Sequence, residues 1–264
     1  MNHSWSLTLA LALLLADGCA SSSPKAGSKP VAFAMAASKI DEKDPLAAIR
    51  LLQIGQTMIA EGKVADGIEQ FKHALRLQPD NPTIHNVLGV AELRRGESAR
   101  AIEEFNRALA LAPSYLDARS NRGTAYLRLG QVAMAEADFL AALTDPAYAN
   151  RQGVYFNLGA LYFARGNLTA AEENLRRATL PVGSVDAYLL LGRVEERLGK
   201  FAAAETAYRG AHDRGPERPD AALALGEFLA GRGQAPEAQE LYRQVIEIAP
   251  ASPEAVRAHE LLGR

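Results

Sequence analysis

Cysteine is almost absent from this chain of 264 residues, and Cys19 is the only one. A lone thiol cannot form an intramolecular disulfide, so no disulfide framework holds this fold together. Net charge is nearly absent too, because 29 Lys and Arg residues stand against 31 Asp and Glu residues and leave −2 at pH 7. No overall positive field therefore favours nucleic acid or an anionic membrane surface as a partner.

Motifs for catalysis and for metal binding are missing as well. No pair among the five histidines has metal-ligand spacing, and no cysteine or carboxylate constellation lies beside them. The sequence has neither a glycine-rich phosphate loop nor a nucleophile elbow of the G-x-S-x-G type. We therefore expect no enzymatic activity, no metal site, no cofactor and no small-molecule substrate.

Glycine, in contrast, recurs at a regular interval. Glycines of a first series follow one another by 33 to 36 residues, at Gly55, Gly89, Gly123, Gly159, Gly192 and Gly226. A second glycine lies seven residues after each of them, at Gly62, Gly96, Gly130, Gly166, Gly199 and Gly233. The second position suits the end of a first helix, where a left-handed residue is needed and glycine adopts it without steric cost.

Small and bulky residues follow the same count. If the first glycine is position 8 of a repeat, position 20 is always Gly or Ala, and position 24 holds Phe71, Phe105, Phe139, Leu175, Tyr208 and Tyr242. Two antiparallel helices approach closely only where a small residue faces a bulky one. Prolines break the second helix in four repeats, at Pro79, Pro113, Pro216 and Pro250.

This pattern resembles the tetratricopeptide repeat family, in which each repeat is a helix, a turn and a second helix. The resemblance covers about residues 48 to 252 and implies an all-α fold, a right-handed superhelical solenoid. Six helix pairs are predicted over residues 45–252, starting at the cap residue Asp44 and at Pro45. Ser252 and Pro253 repeat that start, so residues 253–264 are predicted to form a capping helix over the last repeat.

The beginning of the chain predicts export and lipidation. Residues 1–18 read as a signal peptide, because the apolar run 7–16 is too short for a permanent membrane span. The segment ending at Cys19 resembles the lipobox of bacterial lipoprotein precursors, although the opening lacks Lys and Arg and Asp17 is an unusual neighbour of the cleavage site. Residues 19–44 are then the lipid anchor and a flexible tether rich in Ser, Pro and Gly. The alternative is an ordinary cleaved signal peptide, with Cys19 as a free thiol.

The lipoprotein resemblance also implies a location. Acyl chains on Cys19 would contribute roughly 0.8 kcal/mol for each buried methylene and hold the protein on a membrane. In such lipoproteins an Asp directly after the cysteine favours retention in the inner membrane, and here that residue is Ala20. The predicted location is therefore the outer membrane, with the lipid-anchored chain facing the periplasm.

In tetratricopeptide arrays the first helices line a concave groove, and the resemblance makes that surface the candidate binding site. Phe156 and Phe163 are seven residues apart and therefore project from one helix face. The predicted partner-binding groove consists of Leu52, Ile59, Asn86, Val90, Leu93, Ser120, Asn121, Leu127, Phe156, Phe163 and Leu189. The alternative is that the apolar members pack against the neighbouring repeat.

The chaperone-binding members of the family hold a terminal carboxylate with a Lys, Asn and Arg clamp. The corresponding positions here are Leu52, Gln56, Val87, Asp117 and Asn121, so the clamp is absent. Asp117 would repel a carboxylate. The groove is predicted instead to bind an apolar helix or extended segment of a protein.

The lipobox, the tether and the six repeats together resemble the PilF/PilW/Tgl group of outer-membrane lipoproteins. That resemblance implies a secretin subunit as partner, and a pilotin-like function in assembling the secretin of type IV pili. One alternative is a general envelope-assembly scaffold or a regulator of a cell-wall synthase. Another is an accessory subunit that binds apocytochrome during cytochrome c maturation.

Overall fold

The computed structural model describes residues 41–263. The predicted signal peptide, Cys19 and most of the predicted tether lie outside these residues. The described part contains the α-helices α1 (Ala47–Ala60), α2 (Val64–Leu77), α3 (Pro82–Arg94), α4 (Ser98–Leu111), α5 (Leu116–Arg128), α6 (Val132–Ala142), α7 (Arg151–Ala164), α8 (Leu168–Ala178), α9 (Val185–Arg197), α10 (Phe201–Arg214), α11 (Pro219–Gly231), α12 (Ala235–Ile248) and α13 (Pro253–Leu262). No β-strand occurs between residues 41 and 263, so the predicted all-α class is confirmed, with six helix pairs and one final helix.

The first helix begins slightly later than the sequence predicts. The Asp44 carboxylate accepts a hydrogen bond from the backbone N–H of Leu46 at 2.9 Å. The Asp44 carbonyl accepts another from the N–H of Ala47, also at 2.9 Å. These two bonds form a turn over Pro45, and α1 begins at Ala47.

Proline and side-chain caps determine where later helices begin. The Asn81 side chain accepts a hydrogen bond from the N–H of Thr83 at 3.0 Å, and Pro82 is the first residue of α3. Proline suits that position because its missing N–H would have no partner inside the helix. Ser252 caps α13 in the same way, through a 3.1 Å hydrogen bond from the N–H of Ala255.

The turn inside each repeat depends on the second glycine of the pattern. Gly96 ends α3 with φ of 88°, a left-handed conformation that side chains disfavour. The following N–H, that of Glu97, donates to the carbonyl of Glu92 at 2.9 Å, which closes the end of the helix. The five equivalent glycines also have positive φ, between 72° and 81°.

The first glycine of the pattern marks the point where the two helices of a repeat meet. A β-carbon added to Gly89 would lie 2.6 Å from the ring of Phe105, which is fully buried. The other five glycines face the position-24 residue of their own repeat, with nearest distances between 2.5 and 2.8 Å. The small-against-bulky packing that the sequence predicts is therefore present in all six pairs.

The chain divides into two compact units, Met1–Asn150 and Arg151–Arg264. In the described residues, unit 1 contains α1 to α6 and unit 2 contains α7 to α13. The division falls where the glycine spacing is longest, between the third and fourth repeats. In unit 2, α13 buries Ala255 and Ala258 against a cluster that includes Val245, and so covers the apolar side of the last pair.

Candidate protein-binding faces

The predicted groove residues lie on the first helices of the first five pairs and belong to both units. The unit 1 face, on α1, α3 and α5, consists of Leu52, Ile59, Asn86, Val90, Leu93, Ser120, Asn121 and Leu127. The unit 2 face, on α7 and α9, consists of Phe156, Phe163 and Leu189.

Some apolar members of the unit 1 face belong to the core. Leu93 is 4% exposed and packs in one cluster with Phe105 and Ala125, and Leu127 is 2% exposed. These two leucines therefore fit the alternative interpretation, in which apolar residues of the predicted groove are packed inside the protein. The apolar surface left to a partner comes from the half-buried members, which also touch core clusters: Leu52, Ile59 and Val90.

The polar members of the unit 1 face form a connected chain. Asn86 Nδ2 donates to the hydroxyl of Tyr115 at 3.2 Å, and Asn121 Nδ2 donates to Asn86 Oδ1 at 3.0 Å. Burial raises the pKa of Tyr115, so its phenol stays protonated at neutral pH. Ser120 is buried, and its carbonyl accepts from Thr124 Oγ1 at 3.3 Å. The two asparagines thus link α3 to α5 and fix the orientation of their amides.

Two arginines lie at the end of the unit 1 face, next to residues of the predicted groove. Arg94 is the last residue of α3 and Arg128 is the last residue of α5, and both are exposed. Arg128 Nη1 donates to the carbonyl of Leu93, on the turn that carries Arg94. Each arginine directly follows a predicted groove leucine, so the same repeat count identifies both positions.

The opposite end of the unit 1 face carries an acidic side chain. Asp117 lies in the first turn of α5 and is exposed. The hydroxyl of Tyr148 donates to Asp117 Oδ1 at 2.8 Å. Burial and the neighbouring Asp117 both raise the pKa of Tyr148, so the phenol remains a neutral donor to this carboxylate.

The unit 2 face contains one buried ring and one partly accessible ring. Phe156 is 6% exposed, Phe163 is half-buried, and both belong to the same apolar cluster. The guanidinium carbon of Arg197 lies 5.0 Å from the centre of the Phe163 ring, within the range of a cation–π interaction. Leu189 is buried in a different cluster, which includes Phe228.

Charged side chains also meet inside unit 2, between α8 and α9. Arg176 Nη2 lies 2.6 Å from Glu195 Oε1 and 3.0 Å from Glu172 Oε1, while Lys200 Nζ lies 2.6 Å from Glu172 Oε2. Burial raises the pKa of Glu195, whose Oε2 has no hydrogen-bond partner within residues 41–263. Burial also disfavours the charge on Glu172, but hydrogen bonds from Lys200 and Arg176 outweigh it and lower the Glu172 pKa.

Two kinds of site are absent from the part of the chain that the structure describes. Between residues 41 and 263, no group of three or more His, Cys, Asp or Glu side chains is arranged to hold a metal ion. No helix in that range combines the length and the apolar character needed to cross a membrane.

Sequence profiles identify the repeat. One tetratricopeptide repeat profile matches residues 52–115, 93–153 and 189–253, and a second matches residues 153–180. The chain belongs to the tetratricopeptide repeat family. The matched segments together reach all six helix pairs of this tetratricopeptide protein. A comparison with curated protein sequences finds no match.

Solved tetratricopeptide structures reproduce the fold. PilW, described as a widely conserved type IV pilus biogenesis factor, matches with a TM-score of 0.71 and 22% identity, over 80% of this chain and 98% of the PilW chain. PilF of Pseudomonas aeruginosa matches with a TM-score of 0.70 and 19% identity, over 81% of this chain and 96% of PilF. A chain of the APC/C hetero-tetramer Cut9-Hcn1 matches with a TM-score of 0.70 and 16% identity, over 97% of this chain and 48% of its own. At such low sequence identities, these matches show that the chain shares the fold of these proteins.

Proposed function

We propose that this tetratricopeptide protein is a lipid-anchored, pilotin-like scaffold that promotes assembly of the type IV pilus secretin in the outer membrane. The observation that carries the proposal is the extent of the match to PilW and PilF, which covers 98% and 96% of those chains. PilW is described as a type IV pilus biogenesis factor. The lipobox-like segment ending at Cys19 supports the same proposal.

In this proposal the two parts of the chain have separate tasks. Lipid on Cys19 keeps the repeats at the periplasmic side of the outer membrane, and the tether lets them reach the membrane surface. The repeats then bind a segment of the secretin monomer and raise the local concentration of monomers. The scaffold acts by binding and not by catalysis.

The binding surface in this proposal is the accessible part of the two faces. On the unit 1 face, the half-buried Leu52, Ile59 and Val90 supply apolar contact, and Asn121 adds an amide. On the unit 2 face, Phe163 offers a partly accessible ring. Half-buried side chains suit this purpose because the core already restricts their rotamers, which lowers the entropy that is lost on binding.

A deletion strain tests the proposal. We expect loss of detergent-resistant secretin multimers on immunoblots and loss of surface pili, with secretin monomer still present. Plasmid-borne wild-type protein should restore both, whereas Cys19→Ala should restore them poorly. Normal secretin multimers and normal pili in the deletion strain would contradict the proposal.

The alternatives are a general envelope-assembly scaffold, a regulator of a cell-wall synthase, and an apocytochrome-binding subunit. The fold serves different assemblies, as the match to an APC/C chain illustrates. Crosslinking in the native envelope, followed by identification of the partner, separates these functions. Recovery of a cell-wall synthase or an apocytochrome in place of the secretin would favour the corresponding alternative.

A further inference from the structure

We propose that a second copy of this chain binds the exposed side of α6, so that two protomers form a weak two-fold dimer. The surface concerned, the α6 face, consists of Ala133, Met134, Ala137, Leu140 and Ala141. It lies in unit 1 and contains none of the predicted groove residues. The dimer therefore adds to the proposed function and does not depend on which partner the groove residues bind.

Two large apolar side chains of the α6 face are open to solvent. Met134 is 53% exposed and Leu140 is 51% exposed. A helix turns by about 100° per residue, so all five members of the face lie within roughly 60° of Ala137 around the helix. Ala133 and Ala137 are exposed as well. The face is therefore one continuous apolar surface on the outside of unit 1.

The two acidic residues of α6 lie away from this face. Asp138 is buried, and each of its carboxylate oxygens accepts a hydrogen bond from Arg122 at 2.7 Å. Glu136 is half-buried and lies about 100° around the helix from Ala137. The α6 face itself thus has no ionisable side chain.

The equivalent surface of each other second helix carries charge. Met134, Ala137 and Leu140 are positions 19, 22 and 25 of the third repeat, counted with Gly123 as position 8. The charged residues at these positions in the other repeats are Asp66, Glu69 and Lys72 in α2, Arg100 and Glu103 in α4, Glu173 and Arg176 in α8, Arg209 in α10, and Glu237, Glu240 and Arg243 in α12. Of the six second helices between residues 41 and 263, only α6 is uncharged at all three positions.

This lack of charge favours a second copy as the occupant of the α6 face. In a two-fold dimer both protomers contribute the same surface, so a residue near the axis meets residues of its own kind. A charged side chain there would oppose a like charge, which disfavours the contact. A different protein makes no such demand, because it can supply the opposite charge. An uncharged face is what association with an identical copy requires.

The size of the α6 face determines how strong the dimer is. α6 has 11 residues. It is therefore about 16 Å long and, with its side chains, roughly 10 Å wide, which gives a projected area of roughly 160 Å². Stable interfaces bury about 800 Å² on each partner, so we expect a weak dimer that needs a high local concentration. The lipid anchor of the proposed function would supply that concentration by confining the copies to one membrane.

Cysteine crosslinking of the full-length protein in intact cells tests the dimer. Ala137→Cys places a thiol at the centre of the α6 face, and oxidation with copper phenanthroline joins thiols that meet across the axis. Glu103→Cys is the matched control, because Glu103 is exposed at the equivalent position of α4. On non-reducing immunoblots we expect about tenfold more dimer from Ala137→Cys than from Glu103→Cys. Wild-type protein shows how much dimer arises from Cys19.

Charge placed on the α6 face should prevent the dimer. Met134→Glu and Leu140→Glu, each combined with Ala137→Cys, bring like charges together and should lower the yield of crosslinked dimer about tenfold. Met134→Gln should lower it less, because it adds no charge. Both residues are about half exposed, so the melting temperatures of these variants should stay close to that of Ala137→Cys. Circular dichroism checks that each variant is folded.

Several results would overturn the dimer. They are an equal yield from Glu103→Cys, an unchanged yield with both Met134→Glu and Leu140→Glu, and crosslinking of Ala137→Cys to a different protein with no homodimer. The secretin proposal is tested separately by the deletion strain. If the homodimer forms but the deletion strain assembles secretin normally, only the secretin proposal fails. If secretin multimers are lost in the deletion strain but no homodimer forms, only the dimer proposal fails.

Discussion

A β-carbon added to Gly89 would lie 2.6 Å from Cε1 of Phe105. Favourable contacts between carbon atoms are about 3.5 to 4.0 Å long, so α3 and α4 meet where only a hydrogen atom fits. Phe105 is fully buried and its ring cannot turn aside without opening the core. The close approach of the two helices therefore depends on this one glycine.

Gly89→Ala is predicted to lower the free energy of unfolding by about 1–3 kcal/mol, the usual cost of overpacking a core. Thermal unfolding followed by circular dichroism measures it as a lower melting temperature. Gly231→Ala is the control, because Gly231 ends α11 with open space around its Cα and a negative φ. There Ala should be neutral or slightly stabilising. Equal melting temperatures for Gly89→Ala and wild type would contradict the packing account.

Glu195 is predicted to make stability depend on pH. Its pKa is raised by burial above that of the unfolded chain, so its contribution to stability is greatest below about pH 4.3 and is lost as pH rises through the folded-state pKa. Glu195→Gln does not titrate. The melting temperature of Glu195→Gln minus that of wild type should therefore increase between about pH 4 and pH 7.

Glu173→Gln provides the comparison for Glu195. Glu173 pairs with Arg177 at 2.7 Å on an exposed surface, where an ion pair adds about 0–1 kcal/mol to stability. Glu173→Gln should therefore melt close to the wild-type temperature at neutral pH. If the melting temperature of Glu195→Gln minus that of wild type stayed constant or fell as pH rose, the pKa of Glu195 would not be raised in the folded state.

Replacing Phe156 by Ala is predicted to lower the free energy of unfolding more than replacing Phe163 does, although both residues lie on α7. Phe156→Ala should lower the free energy of unfolding by about 3–5 kcal/mol, because its ring is buried. Phe163→Ala should have a smaller effect, of the order of 1–3 kcal/mol, since its ring is partly accessible. Urea unfolding measures both.

The same pair tests binding. At a temperature where both variants are folded, Phe163→Ala should reduce the yield of secretin multimers in the complemented deletion strain more than Phe156→Ala does. Phe163 then acts as a contact and Phe156 as support for the fold. If the yield of secretin multimers falls only in line with each variant's loss of stability, the Phe163 ring contributes to the core and not to binding.

Cys19→Ala is predicted to move the protein from the membrane fraction to the soluble fraction, because the acyl chains are lost. Helicity should be unchanged, since the described helices begin at Ala47. Fractionation with immunoblotting measures the first effect and far-UV circular dichroism the second. Ser21→Ala serves as the control and should stay with the membrane. An unchanged distribution of Cys19→Ala would exclude a lipid anchor at this residue.

The fold was predictable because each repeat places its constraints close together in the sequence. Gly89 and Phe105 are sixteen residues apart, and the turn at Gly96 between them leaves one way for the two helices to meet. The start of α1 was less predictable. Two local hydrogen bonds to Asp44 close a turn that precedes α1. Asp44 therefore caps this turn and does not cap the helix.

The faces were harder to predict than the fold. The repeat count places Leu93 and Arg94 side by side on a first helix, but it does not say how far the next helix pair covers each. Packing against Ala125 buries Leu93 and leaves Arg94 exposed. Likewise, no sequence rule predicts that Asn121 donates to Asn86, thirty-five residues earlier.

The sequence by itself determined the family, the number of helix pairs and the residues at which their helices meet, since these follow from sterics within about thirty-four residues of chain. Only the tertiary structure decided which first-helix side chains remain accessible and which carboxylates are buried. These properties depend on contacts between successive repeats, where the depth of burial and the direction of each side chain are determined by the neighbouring helix pair.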